Sequence, residues 1–133
     1  MIVVIPFETP SKKNSRITYT RTGRSFPNKK YVEWHRKAEM WLLSHYRNME
    51  TFGTGTAVSV KMTFVHGSLQ RSDSDNKVSS ILDLLVDLHI IPDDNWKIVR
   101  RIVVENTYDK GRPSCTLEVV PYSDVREPFG SPP

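Results

Sequence analysis

Two hydrophobic periods alternate along this chain of 133 residues, and their order constrains the fold more than any other feature. The first apolar run, Met1 to Phe7, is too short for a helix and rich in β-branched residues, which predicts a buried strand. From about Lys29 to Arg47, apolar residues recur every three or four positions, which predicts an amphipathic helix packed on a sheet. Its apolar stripe comprises Tyr31, Trp34, Ala38, Trp41, Leu42 and His45.

The middle of the chain repeats the order of a strand followed by a helix. Between Ala57 and Phe64, apolar and polar side chains alternate, which is the period of a half-buried strand. From Asp75 to Leu88 the spacing is helical again, and Pro92 prevents any continuation. The predicted apolar face of this second helix comprises Val78, Ile81, Leu82, Leu85 and Leu88.

Two more strands are predicted at 97–106 and 114–120, joined as a hairpin across 108–113. The resulting order, β-α-β-α-β-β, predicts an α+β fold in which two helices pack on a small mixed sheet. We expect a single domain over 1–120. The tail, 121–133, contains four prolines and is predicted to be extended or disordered.

The net charge of +4 is unevenly distributed. Residues 11–30, predicted to form a basic loop, contain seven basic side chains and no acidic one, whereas the other residues carry 12 basic and 15 acidic side chains. Such a segment repels itself unless a polyanion is present, and nucleic acid is the usual partner. Tyr19 and Phe26 have the chemistry to stack on bases. The alternative is a solvated loop that binds nothing. The basic residues are Lys12, Lys13, Arg16, Arg21, Arg24, Lys29 and Lys30.

Aspartates flank the second predicted helix at both ends. Asp73 and Asp75, with Asn76 beside them, lie where it begins, and Asp94 follows its end. We expect Asp94 to join the first pair if the next strand returns beside the strand that ends at Val65. Three convergent carboxylates form a site for a hard divalent cation such as Mg²⁺, which can activate water for phosphodiester hydrolysis.

Other interpretations of these acids have to be weighed. Asp73 has the position of a helix cap, Asp83 and Asp87 fit a solvated helix face, and the acids at 93 and 94 fit a turn. An EF-hand loop starting at Asp73 fails, because Lys77 stands at a ligand position. A nucleotidyltransferase pattern fails because only four residues separate the Gly-Ser pair at 67–68 from Asp73.

The histidines and the single cysteine offer little catalytic chemistry. No two histidines have a metal-ligand spacing, although His66 is near enough to the acids to stay a minor candidate. Cys115 is predicted to be a small buried residue on a strand. A lone thiol suits a reducing compartment, and no segment has the pattern of a membrane span or secretory signal.

The acidic residues and their spacing resemble a known family. The run Asp73-Ser-Asp-Asn76, a helix carrying Asp83 and Leu84-Leu85, and the pair Asp93-Asp94 are similar to the signature of RusA-type Holliday-junction resolvases. The basic stretch Pro10-Ser-Lys-Lys-Asn-Ser15 resembles the loop that these proteins carry after their first strand. The resemblance spans roughly residues 3–120.

This resemblance implies a homodimeric, Mg²⁺-dependent endonuclease of phage or prophage type that cuts four-way DNA junctions by paired nicks, with Mn²⁺ as a substitute metal. Asp73, Asp75 and Asp94 correspond to the catalytic, metal-binding acids. The DNA-binding set then comprises the seven basic residues above together with Asn14 and Asn76. We expect it to act in the cytoplasm of a bacterial or phage-infected cell.

One position departs from the family pattern, which has a lysine four residues after the second acid. Here that position is Ser79. Lys97 is the predicted substitute, because it follows Asp94 by three residues and has a long flexible side chain, whereas Lys77 points away from Asp75 on a helix. The rival interpretation is a DNA- or RNA-binding protein that keeps the fold and has lost cleavage.

Overall fold

The computed structural model describes residues 1–11, 16–18, 25–27, 29–69 and 74–124, and for 16–18, 25–27 and 74–76 it describes only the backbone. Within these ranges the predicted α+β class is confirmed, since every predicted helix and strand is present to within a few residues. The elements are β1 (Ile2–Ile5), β2 (Arg16–Thr18), β3 (Ser25–Pro27), α1 (Lys29–His45), β4 (Val58–His66), α2 (Ser74–Asp87), β5 (Val99–Tyr108) and β6 (Ser114–Pro121).

The main sheet is mixed and has the strand order β1-β6-β4-β5. β6 pairs antiparallel with both β1 and β4, whereas β5 pairs parallel with β4, in a register that joins Val60 to Ile102. Parallel neighbours need a crossover connection, and α2 supplies it. The unit β4-α2-β5 therefore organises the second half of the chain.

The predicted hairpin between β5 and β6 is wrong, because β4 lies between these two strands. Both edges of β4 are paired, so the link from β5 to β6 must pass over its end. Asp109 N donates to His66 O at 3.0 Å, and Gly111 N donates to Gly67 O at 2.9 Å. A Cβ on Gly67 would stand 2.8 Å from Cδ of Pro113, so this crossing requires glycine.

The basic segment is not the plain loop that its charge suggests. Two short strands within it, β2 and β3, form a separate antiparallel pair in which Ile17 lies opposite Phe26. Ile17 and Thr18 have strand propensity, which the surrounding charge and turn residues obscure in the sequence. The prediction of a loop over 11–30 is therefore wrong for these six residues.

One hydrophobic core lies between the helices and one face of the main sheet. The alternation predicted for β4 is confirmed, because Val58, Val60, Met62 and Phe64 are all buried. The stripe of α1 is confirmed at Tyr31, Trp34, Ala38 and Leu42, whereas Trp41 is half-buried and His45 is exposed. No helix among the described residues is long and apolar enough to cross a membrane.

Side chains of α1 and its C-terminal extension cover the free edge of β1. Trp41 Nε1 donates to Val4 O at 3.0 Å, and Val4 N donates to the Tyr46 hydroxyl at 2.9 Å. These bonds satisfy backbone groups that would otherwise offer a template for pairing with another strand. The position of Trp41 at the margin of the stripe is explained by this contact.

Cys115 lies fully buried on β6, as predicted. Burial raises the pKa of its thiol to about 12, because the thiolate cannot be solvated in the core. The thiol is therefore protonated at neutral pH, and the residue acts as part of the packing.

α2 ends at Asp87 in a left-handed turn that places a histidine where glycine is usual. Ile90 N donates to Leu85 O and His89 N donates to Val86 O, both at 3.0 Å, which are the paired bonds of a Schellman ending. His89 has φ of 60° and is exposed. A side chain with a Cβ is strained in this conformation.

We expect His89→Gly to raise the free energy of unfolding by about 0.5–1 kcal/mol, because relief of the left-handed strain exceeds the added entropy of the unfolded chain. Urea unfolding followed by circular dichroism measures the change. His89→Ala is the control and should bring no gain, since alanine keeps the Cβ. Equal stability of the two variants would show that the turn is unstrained.

Candidate active site

The crossover connection places the two ends of α2 at opposite ends of the sheet. We call the end at which β4 finishes and α2 begins the upper end, and the end at which β4 starts and α2 finishes the lower end. β5 starts at the lower end, because Val99 pairs with Val58. The 14 residues of α2 separate the two ends by about 20 Å.

Of the first pair of predicted acids, Asp75 is at the upper end. Asp75 lies in the first turn of α2, where the backbone is described, and Asn76 follows it. Asp73 lies outside the described residues, immediately before the helix. An acidic side chain is favourable at this position, because the helix dipole presents its positive end there.

A buried ion pair joins the upper end of α2 to the segment that follows β1. Lys77 Nζ lies 2.8 Å from Glu8 Oε1, and the Lys77 side chain is only 5% exposed. Ser80 Oγ, also buried, donates to Pro10 O at 2.7 Å. Residues 8–10 are thus held against the first two turns of α2, the helix that has Asp75 in its first turn.

The sequence pattern did not predict that Lys77 and Ser80 are buried. Lys77 lies four residues before the buried Ile81, and Ser80 lies four residues before the buried Leu84, so the spacing carried the signal. Their polar side chains hid it, because a core face is recognised by its apolar residues. Lys77 also lies 5.9 Å from the Phe64 ring centre, and the aliphatic part of its side chain packs in the core.

His66, the minor candidate, lies at the upper end on the last residue of β4. Its Nδ1 is 3.9 Å from Glu8 Oε1, and its Nε2 is 2.8 Å from Asn106 Oδ1. The imidazole therefore has partners on both sides and sits beside the Lys77–Glu8 pair. This placement suits a structural residue that links the end of β4 to Glu8 and to β5.

The second pair of acids forms a turn at the lower end. Asp93 Oδ1 accepts from Asp94 N at 2.7 Å, and Asp93 Oδ2 accepts from Asn95 Nδ2 at 3.0 Å. These bonds, that from the Asn95 side chain first, hold the pKa of Asp93 below its ordinary value. Asn95 O accepts from the amides of residues 98 and 99, which fixes the turn to the start of β5.

Asp94 therefore does not join the first acids within one chain, contrary to the expectation from sequence. The next strand does return beside β4, but it runs parallel to it, so the residues before β5 lie at the lower end. Lys97, which is exposed like Asp94, lies on the same turn and therefore also at the lower end. The roles of these residues in catalysis stay predictions.

Only part of the predicted DNA-binding set falls within the described side chains. Lys29 and Lys30 are exposed in the first turn of α1, and Lys29 lies 3.8 Å from Glu33. Arg16 is in β2, where only the backbone is described. The residues outside the described ranges are Lys12, Lys13, Asn14, Arg21 and Arg24.

Comparison with protein families identifies the class of the chain. The family model described as endodeoxyribonuclease RusA matches residues 6–120. The chain therefore belongs to the RusA endodeoxyribonuclease family, whose members resolve Holliday junctions and bind branched DNA. No match was found among curated proteins. Family membership supports a nuclease, and nucleases of this kind generally use a divalent metal.

The Lys77–Glu8 pair makes a testable contribution to stability. Glu8→Gln leaves a buried ammonium without its counter-charge, so we expect a loss of about 1–2 kcal/mol in the free energy of unfolding, less than for a fully buried pair because Glu8 is half-exposed. Lys77→Met keeps the packing volume and should lose less. The combined variant should resemble Lys77→Met in urea unfolding, and an additive double-mutant cycle would show that the pair is not coupled.

Proposed function

We propose that the protein is a metal-dependent, structure-selective endonuclease that resolves four-way junctions or other branched DNA by paired nicks in recombination and repair. The observation that carries this proposal is the anchoring of residues 8–10 on α2 through Lys77 and Ser80. It supports the proposal because it holds the residues just before the basic segment against the first two turns of α2, the helix that begins at the predicted acids. Phosphate-binding and hydrolytic groups are then adjacent.

The metal that fits this set of ligands is Mg²⁺, with Mn²⁺ as a substitute. Asp73, Asp75 and Asp94 offer carboxylate oxygens alone, and hard divalent cations prefer oxygen ligands. Such an ion, when bound, lowers the pKa of water and offsets charge on the phosphodiester. The basic residues at 12–30 would hold the flanking phosphates through contacts that weaken with salt.

A homodimer reconciles these ligands with the fold. Within one chain about 20 Å separates the start of α2 from its end, so Asp94 cannot reach an ion held by Asp75 of the same chain. We propose that a second copy supplies Asp94, its lower end meeting the upper end of the first copy. A two-fold axis then creates two equivalent sites. Two sites match the two nicks that a junction requires.

In this arrangement Lys97 reaches the metal site together with Asp94 of the same copy. Ser79, exposed one turn after Asp75, leaves the place of the family lysine without a cation. The Lys97 ammonium would then stabilise the charge that develops on the phosphate. The buried Lys77 ammonium is paired with Glu8 and does not serve this role.

The rival function is binding of DNA or RNA without cleavage, and the serine at position 79 is the observation that favours it. The two functions give opposite results with one substrate, because only an enzyme releases nicked strands. The cytoplasm of a bacterial or phage-infected cell stays the predicted location.

We expect the purified protein to nick a labelled synthetic four-way junction with Mg²⁺ and not with EDTA. Asp75→Asn and Asp94→Asn should each reduce cleavage by at least about 100-fold, since each removes a charged metal ligand, while junction binding in a gel-shift assay persists or tightens. Asp109→Asn and Asp124→Asn are exposed control substitutions outside the predicted site. Band shifts without nicks in the wild type would establish the rival function.

Subunit mixing tests whether each site is built from two copies. Asp75→Asn and Asp94→Asn proteins are inactive alone, but a heterodimer of the two contains one site with neither substitution if the acids come from different copies. We therefore expect single nicks to reappear after the variants are unfolded and refolded together. If each site is built from one chain, both sites of the heterodimer stay defective and mixing restores nothing.

Lys97→Ala should lower the cleavage rate by at least about tenfold with junction binding little changed, because the ammonium acts on the developing charge. Lys77→Ala should have a much smaller effect on the cleavage rate of the folded fraction. Ser79→Lys should raise activity or rescue Lys97→Ala, because position 79 lies one turn from Asp75. Normal cleavage by Lys97→Ala would remove Lys97 from the mechanism.

The basic segment is tested by the salt dependence of junction binding. Lys12→Ala with Lys13→Ala should lower the log-log slope by about 0.9 for each phosphate on the duplex arms that the protein no longer neutralises. The control pair, Arg36→Ala with Arg47→Ala, removes two exposed charges from α1 and the residues just after it, and should leave the slope unchanged. Identical slopes for both pairs would show that residues 12 and 13 do not bind phosphate.

A further inference from the structure

Four side chains with metal-binding chemistry meet where α1 faces α2, away from the acids at the start of α2. His35 and Glu39 are one turn apart on α1, and Asp83 and Asp87 are one turn apart on α2. His35 Nε2 lies 2.7 Å from Glu39 Oε1 and 2.8 Å from Asp87 Oδ2. Ligand atoms of His35, Glu39 and Asp87 all lie within 4.8 Å of one another.

This arrangement concentrates negative charge around one imidazole. Two carboxylates approach the same ring nitrogen, and a third, that of Asp83, lies 3.9 Å from Nδ1. Among the ion pairs of the described residues, no lysine or arginine faces Glu39 or Asp87. The negative charge of these carboxylates therefore favours binding of a cation near Nε2.

The hydrogen-bonding capacity of His35 does not match its surroundings. A single Nε2–H cannot donate linear bonds to two carboxylates, and Nδ1 is buried without a hydrogen-bond partner. If the proton is on Nδ1 instead, the Nε2 lone pair faces two negative oxygens. Either neutral tautomer thus leaves an unfavourable contact, and a metal ion bound to the Nε2 lone pair removes it.

We propose that His35, Glu39 and Asp87 form a second metal site that takes a transition-metal ion such as Zn²⁺ and joins α1 to α2. Imidazole and carboxylate together suit zinc, and three protein ligands leave a fourth position for water. Ligands spaced one turn apart on a helix can bind the same ion, and sites of this kind form between facing helices.

Small side-chain movements are enough to admit the ion. Zinc ligands at ordinary bond lengths in a tetrahedral site are about 3.4 Å apart, so the two short contacts of Nε2 must open by roughly 0.6 Å. The carboxylates of Glu39 and Asp87 are one-third and half exposed, respectively, and can move. Asp83, held by the Tyr31 hydroxyl, lies on the Nδ1 side and orients the ring.

Within one chain this site is remote from Asp75, and its ligand chemistry differs from that of the proposed nuclease site. Asp87 is 12 residues beyond Asp75 on α2, about 18 Å along the axis. A nitrogen ligand selects against Mg²⁺, whereas the nuclease acids offer oxygen alone. The second ion joins two helices that cover the core, so its binding raises the stability of the folded protein.

The test measures zinc binding in the full-length, untagged protein after chelator treatment and dialysis. We expect Zn²⁺ at saturating concentration to raise Tm by about 5–10 °C and Mg²⁺ to have little effect. Co²⁺ should give the visible absorption of a tetrahedral site. His35→Gln, Glu39→Gln and Asp87→Asn should each abolish the zinc shift and the cobalt spectrum.

Matched controls lie on the same helices. His45→Gln and Glu33→Gln remove a histidine and a glutamate of α1 outside the cluster, and Asp75→Asn removes a proposed nuclease ligand. All three should keep the zinc shift, so the result does not depend on nuclease activity. For any variant of low stability, equilibrium dialysis at low temperature measures Zn²⁺ binding directly, without a melting curve. Absence of a shift in the wild type, or its persistence in His35→Gln, overturns the proposal.

Discussion

The parallel pairing of β4 with β5 determines where every candidate functional group can lie. A parallel neighbour must be reached by a crossover, and α2 runs back along the full length of the sheet to make it. Asp75 in the first turn of this helix and Asp94 after its end are therefore carried to opposite ends. In the sequence these acids are close enough to suggest one compact metal site within a single chain. In the function proposed here, the complete metal site instead requires a second copy of the chain.

The upper end is held together by polar contacts within an apolar setting. On a buried face of α2, the Lys77 ammonium pairs with Glu8 and the Ser80 hydroxyl donates to Pro10 O. Glu8 and Pro10 belong to the last part of the chain before the basic segment. A buried cation is costly without its partner, so these contacts favour one placement of residues 8–10 over others. In the function proposed here, stability and the position of the phosphate-binding residues are coupled at this point.

The two helices also meet through charged groups. Asp83 and Asp87, for which a solvated helix face was one interpretation of the sequence, approach Tyr31 and His35 of α1, and Asp87 is also exposed. The one-turn spacing of His35 with Glu39, and of Asp83 with Asp87, is visible in the sequence, but each pair alone is common on solvated helices. Only the packing of α1 beside α2 brings the two pairs together.

The sequence by itself determined the helices, the main strands and the core face of β4, because apolar periodicity follows directly from local backbone geometry. It also predicted the family and a buried Cys115. The strand order, the burial of Lys77 and the separation of Asp94 from Asp75 were decided only by the tertiary structure. These depend on which strands pair and in which direction, and the free energy of that choice is spread over contacts between residues far apart in the chain, which no local pattern records.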